Sequence, residues 1–93
     1  MKTKIKAPVP PITIRSYGQL GNAIRRVRKL QNLSQIELAQ KAGVTQTTIS
    51  NLERGKTVAE VGTLILILSA LNLDIVVTSR PKEDSNGSLE GLF

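Results

Sequence analysis

Ninety-three residues with 40% hydrophobic side chains allow one small domain whose own core is marginal. The absence of cysteine and histidine excludes disulfides and thiolate metal sites and removes the commonest catalytic base, so enzyme readings are poor from the outset. A formal net charge of +6 suits a phosphate backbone or an anionic membrane, while only Tyr17 and Phe93 are aromatic, which argues against stacking on single-stranded nucleic acid.

Residues 1–15 read as a basic arm carrying Lys2, Lys4 and Lys6 and interrupted by Pro8, Pro10 and Pro11. No continuous apolar run follows the lysines, so the arm is not a secretory signal. It is expected to be loosely ordered, either inert or touching DNA phosphate or a partner. No stretch of the chain approaches the roughly 20 apolar residues that span a bilayer. The expectation is a soluble cytoplasmic protein with no membrane partner.

Residues 16–31 should form the first helix. Ser16 and Gln19 make a capping-box pattern. Leu20, Ala23, Ile24, Val27 and Leu30 recur at helical spacing and predict a core face. Arg25, Arg26 and Lys29 point elsewhere, toward solvent or toward a DNA backbone. Asn32 and Leu33 form a short link.

The stretch from Ser34 to Thr57 reads as two short helices joined by a tight turn. Ser34 and Glu37 form a second capping box, Gly43 sits where the chain must leave the helix, and Thr45 caps a helix running from Gln46 to about Arg54. Small Ala39 lets the helices cross closely, and Leu38, Val44, Ile49 and Leu52 supply apolar contacts. This is a helix-turn-helix, whose second helix is shaped to enter a major groove. Gly55 ends that helix.

Side chains near the start of such a helix read bases. Gln46 can bond adenine N6 and N7 at once; Thr45 and Thr47 offer a hydroxyl and a methyl; Ser50 and Asn51 lie a turn further along. Gln35, Thr48, Arg54 and Lys56 are assigned to phosphates, which set register without carrying sequence information. No arginine occupies a reading position, so discrimination at A·T pairs is expected, with DNA shape contributing much of the rest. Eight basic residues against two acidic ones lie between Arg15 and Lys56, so the excess positive charge concentrates around this motif.

Ser34-Gln35, Glu37-Leu38-Ala39, Gly43, Gln46, Ile49-Ser50 and Leu52-Glu53-Arg54-Gly55-Lys56 resemble the helix-turn-helix of the lambdoid phage repressor and Cro superfamily, the XRE family. The resemblance implies an ion pair between Arg28 and Glu53 that locks the first helix to the third. It also implies readout by Gln46, Thr47 and Asn51 and a phosphate held by Gln35.

A fourth helix is expected at about 59–71, with a run from Leu64 to Leu68 that is apolar on every side. Such a helix in so small a domain predicts one face on its own core and another on a second copy, with Leu66 and Ile67 as candidates for the second face. Residues 73–80 change period: Leu73, Ile75 and Val77 alternate with Asp74, Val76 and Thr78, which predicts a β-strand. No second strand is visible, so pairing with the same strand of a twofold-related subunit is expected, with Leu73, Ile75, Val76, Val77 and Thr78 at the interface. Residues 81–93 read as a disordered tail.

The expected fold is therefore mainly α. A four-helix lambda-repressor-like domain (16–72) precedes one strand that pairs with its twin in a homodimer. Ordinary superfamily members continue into a fifth helix instead. Four helices, a single strand within LSALNLDIVV and a short tail resemble the HipB-type antitoxins. That resemblance implies a type II toxin–antitoxin system, in which a dimer neutralises a HipA-type serine/threonine kinase toxin and represses its own operon. A dimer should see an inverted-repeat operator with half-sites about 34 Å apart or a multiple of it. No cofactor or metal is implied. A free-standing repressor, or an interaction module without DNA binding, would share much of this pattern.

Overall fold

The computed structural model describes residues 9–56 and 59–81. Four helices follow one another: α1 (Tyr17–Leu30), α2 (Gln35–Ala42), α3 (Gln46–Glu53) and α4 (Val61–Ala70). They meet on a single core. Ile24 and Val27 come from α1, Leu38, Ala39 and Ala42 from α2, Ile49 and Leu52 from α3, and Ile67, Leu68 and Leu71 from α4 and its end. Spacings of three and four residues give each helix one inward stripe.

Local chemistry sets the helix starts. Ser16 caps α1 by accepting from the Gln19 amide at 3.1 Å. The Gln19 side chain does not return to Ser16; it accepts from the Arg15 backbone amide, one residue further out. At α2 the box is complete: Ser34 Oγ accepts from the Glu37 amide at 3.0 Å, and the Ser34 amide donates to the Glu37 carboxylate at 2.8 Å. Gly43 leaves α2 at φ +76, the left-handed region where a β-carbon costs about 1 kcal/mol. Thr45 Oγ1 then caps α3 by accepting from the Thr48 amide at 3.1 Å.

α1 and α4 end alike. Asn32 and Asn72 adopt φ +59 and +61, and the amides of the leucines after them reach back to the Arg28 and Leu68 carbonyls at 3.1 and 2.8 Å. Leu33 and Leu73 pack their side chains on the core. Each end is a left-handed cap closed by an apolar plug, with asparagine in the place glycine usually holds. The Asn-Leu pairs are its sequence sign; Asn32-Leu33 is thus more than a link.

α4 departs from expectation in one respect. Ile67, expected beside Leu66 on a face toward a second copy, is fully buried in its own core. Neighbours on a helix point about 100° apart, and the edge of the core stripe falls between these two: Ile67 lies inside it with Leu68, and Leu66 lies outside it. Val61 and Ile65 join Leu66 outside, with exposures of 67%, 48% and 52%.

Residues 73–80 adopt no regular structure within one chain, which offers them no neighbouring strand among the described residues. Leu73, expected at the interface, instead plugs its own core. Ile75, Val76 and Val77 stand in solvent, Val77 at 95% exposure, and Thr78 is exposed as well. At the other end Val9 also packs against the core, so the arm expected over 1–15 is attached at its ninth residue. Its first eight residues, Thr57 and the tail beyond Pro81 lie outside the described residues.

Candidate nucleic-acid interface

Two contacts fix α3 against α1. Gly21 is buried at the crossing, and a β-carbon there would stand 2.3 Å from the Leu52 carbonyl oxygen, so the two backbones touch directly. About two turns further along α1, Arg28 donates from Nε and Nη2 to the two carboxylate oxygens of Glu53 at 2.6 and 3.0 Å. Its Nη1 donates to the Leu33 carbonyl at 2.8 Å. Both residues are 7% exposed, so each charge has surrendered its water and depends on the other.

The pair extends outward to the surface. Gln35 Nε2 donates to Glu53 Oε1 at 3.0 Å, and Gln35 Oε1 accepts from Gln46 Nε2 at 2.9 Å. Chemistry alone fixes both amide orientations. A carboxylate can only accept, so Gln35 must turn its nitrogen to Glu53 and its oxygen to Gln46. Gln46 is then left with its carbonyl oxygen and one N–H pointing out. These are the acceptor for adenine N6–H and the donor for N7, side by side. The buried ion pair thus presets the polarity of the Gln46 side chain.

The remaining predicted positions fall on one exposed face of α3. Gln46 and Thr47 are exposed, Ser50 and Asn51 half-buried, and Arg54 exposed just past the helix end. Arg54 Nη2 donates to Asn51 Oδ1 at 3.3 Å, which ties the arginine to its own helix and leaves the Asn51 amide nitrogen outward. The Thr45 oxygen serves as the α3 cap and also lies 2.9 Å from the Thr48 hydroxyl. Its methyl group is therefore the part left for a base. Lys56 is exposed and follows Gly55.

Gln35 opens α2, where Ser34 Oγ takes the Glu37 amide and the Leu38 amide makes the first bond to the Ser34 carbonyl. The amides of Gln35 and Ile36 precede that bond and point out of the helix end, beside the second N–H of the Gln35 side chain. Ile49, between the predicted positions, faces the core with Leu52.

Sequence reasoning missed two positioning residues. Gly21 had a visible sign, since an interior helix glycine among apolar neighbours marks a close approach. Gln31 had none: its Nε2 donates to the Leu71 carbonyl at 2.8 Å, forty positions later. Among the described residues no cluster of acids could hold a metal, and no helix is long and apolar enough to cross a membrane.

Gln46→Ala is expected to weaken binding by about 1–3 kcal/mol and to relax preference at one base pair per half-site. Competition binding with single-base variants checks this, and equal loss on every variant would remove Gln46 from the reading positions. Arg54→Ala should show the opposite pattern, a loss common to all sequences with a shallower salt dependence.

A capped pair of short helices, the second held by a buried ion pair and bearing polar side chains on its outer face, defines a helix-turn-helix DNA-binding domain. The chain belongs to the HTH_3 helix-turn-helix family, of XRE type, whose model matches residues 24–77. It is 39% identical over 81 residues to antitoxin HipB of Escherichia coli, covering 83% of this chain and 92% of that protein. It is 42% identical over 62 residues to the HTH-type transcriptional regulator y4mF of Sinorhizobium fredii, covering 67% of this chain and 82% of the relative. The match to y4dL of the same organism spans only 29% of that longer regulator. Among solved structures, a chain of the HipA–HipB–O2–O3 complex superposes with a TM-score of 0.68 at 36% identity, over 75% of this chain and 99% of that one. The protein is a HipB-like DNA-binding regulator, and these relatives are regulators and antitoxins rather than enzymes.

Proposed function

We propose that this chain is the antitoxin of a type II toxin–antitoxin pair. As a homodimer it binds an inverted-repeat operator, represses its own operon and neutralises a HipA-type serine/threonine kinase. The observation that carries the proposal is the likeness to HipB, which extends over 92% of that protein. A likeness confined to the helix-turn-helix would fit any repressor of the family.

The exposed apolar groups support the dimer. Val61, Ile65 and Leu66 on α4 and Ile75, Val76 and Val77 beyond it are all 48% exposed or more. Residues 73–80 carry backbone groups that a twin segment would satisfy, forming the intersubunit strand pair. Val77→Pro removes a donor from that pair and should shift the chain to monomer in sedimentation. An intact dimer after this change would dismiss pairing through 73–80.

On this proposal, regulation works through the operator. Each α3 enters a major groove, Gln46, Thr47, Ser50 and Asn51 read bases, and Gln35, Thr48, Arg54 and Lys56 hold phosphates. The toxin arm is tested by co-expression with a HipA-type kinase from the same genome. The expected result is a stable complex on purification and restored growth of the host. A chain that binds its operator yet neither binds nor counteracts that kinase would be a free-standing repressor.

A further inference from the structure

The segment that leaves α4 is held at its root by two fixed points. Gln31, at the end of α1, donates its side-chain amide to the carbonyl of Leu71, itself fully buried. Asn72 then turns the chain at φ +61, and Leu73 anchors it, its amide 2.8 Å from the Leu68 carbonyl and its side chain on the core. The root of the segment is therefore tied to α1 as well as to α4. α1 in turn is locked to α3 through Gly21 and the Arg28–Glu53 pair. A continuous rigid path runs from the start of 73–80 to the reading helix.

We infer that Gln31 and Asn72 are positioning residues that set the half-site spacing this protein accepts. They hold the angle between the pairing segment and α3, and hence the separation of the two α3 helices in a dimer. This rests on the proposed pairing of residues 73–80. One added base pair moves the second half-site by about 3.4 Å and turns it by about 34°. A loose root would follow that change and accept several spacings; a clamped root accepts one. The DNA recognised is therefore an inverted repeat of a single spacing.

The test measures the separation directly. The chain has no cysteine, so Gln40→Cys, exposed on α2, gives one spin-label site per subunit and one intersubunit distance. The labelled full-length protein should give a single narrow distance distribution by pulsed dipolar spectroscopy. Gln31→Met keeps the volume and removes the donor. Asn72→Gly keeps the left-handed turn and frees it to adopt others. Each should broaden the distribution at least about twofold while the helix content by circular dichroism is unchanged, since one anchoring bond or turn is lost and the core is not.

Equally narrow distributions in both variants would overturn the inference and leave the dimer standing. No dipolar signal in the parent protein would instead remove the proposed pairing itself. A variant that keeps its helices but dissociates also counts against the inference, because the clamp would then serve pairing rather than aim. Should Gln31→Met fail to fold, Asn72→Gly decides alone, since that position lies at the surface.

Discussion

Glu53→Ala is expected to lower the unfolding free energy by about 3–5 kcal/mol, a large part of what a domain of this size possesses. The loss has two sources. Arg28 would remain buried with its charge unmatched, and the Gln35 amide would lose its acceptor. Thermal or urea unfolding followed by circular dichroism measures it. A midpoint within a few degrees of the parent would mean that Arg28 escapes to water and that the pair does not lock α1 to α3. The double change Arg28→Met with Glu53→Leu separates stability from reading. Apolar side chains of similar size should recover most of the stability. They cannot hold Gln35, so Gln46 loses its preset orientation. A refolded double variant should therefore bind DNA several-fold more weakly, on the scale of one lost hydrogen bond.

Gly21→Ala is the second large effect. Alanine favours a helix over glycine by about 1 kcal/mol, so the change would stabilise an open helix. Here the new methyl would meet the Leu52 oxygen at 2.3 Å and the Glu53 carbonyl oxygen and carbon at 2.8 and 2.9 Å. These are backbone atoms and cannot rotate aside, so α3 must move bodily away from α1. Overpacking of this kind costs about 1–3 kcal/mol or more, which outweighs the propensity gain. The displacement also stretches the Arg28–Glu53 contact, so both stability and DNA affinity should fall. Gly62→Ala is the control. Outside its chain neighbours and its own helix backbone, no atom lies within 4 Å of a β-carbon added there, and the change should stabilise α4 by about 0.5–1 kcal/mol. If Gly21→Ala proved as stable as the parent, the close crossing of α1 and α3 would not be the feature that seats the reading helix.

What the sequence disclosed and what it withheld follow from the range of the interactions. The caps at Ser34 and Thr45 and the turn at Gly43 act over a few residues, and their patterns are local. The outer face of α3 follows from helical period once its start is fixed. Arg28 and Glu53 are 25 positions apart, and spacing alone could not join them; the family resemblance did. The relay through Gln35 to Gln46 was hidden because a surface glutamine has many possible partners. Ile67 and Leu73 were misplaced for a different reason. Ile67 sits in a run where every residue is apolar, so periodicity no longer tells which side chains face the core, and Leu73 follows the left-handed turn at Asn72, where the chain still belongs to the end of α4 rather than to an extended segment. The unpaired residues 73–80 show the same limit from the other side, since a strand is a property of two segments.

The central claim is that this chain reads DNA sequence with α3 as a twofold pair. Binding selection from a pool of randomised duplexes, with the full chain as bait, tests it most directly. The account predicts enrichment of inverted repeats whose half-site centres lie about 34 Å apart, or a multiple of it. Each half-site should carry an A·T pair whose enrichment disappears with Gln46→Ala. A pool that stays random, or a motif unchanged by that substitution, would contradict it.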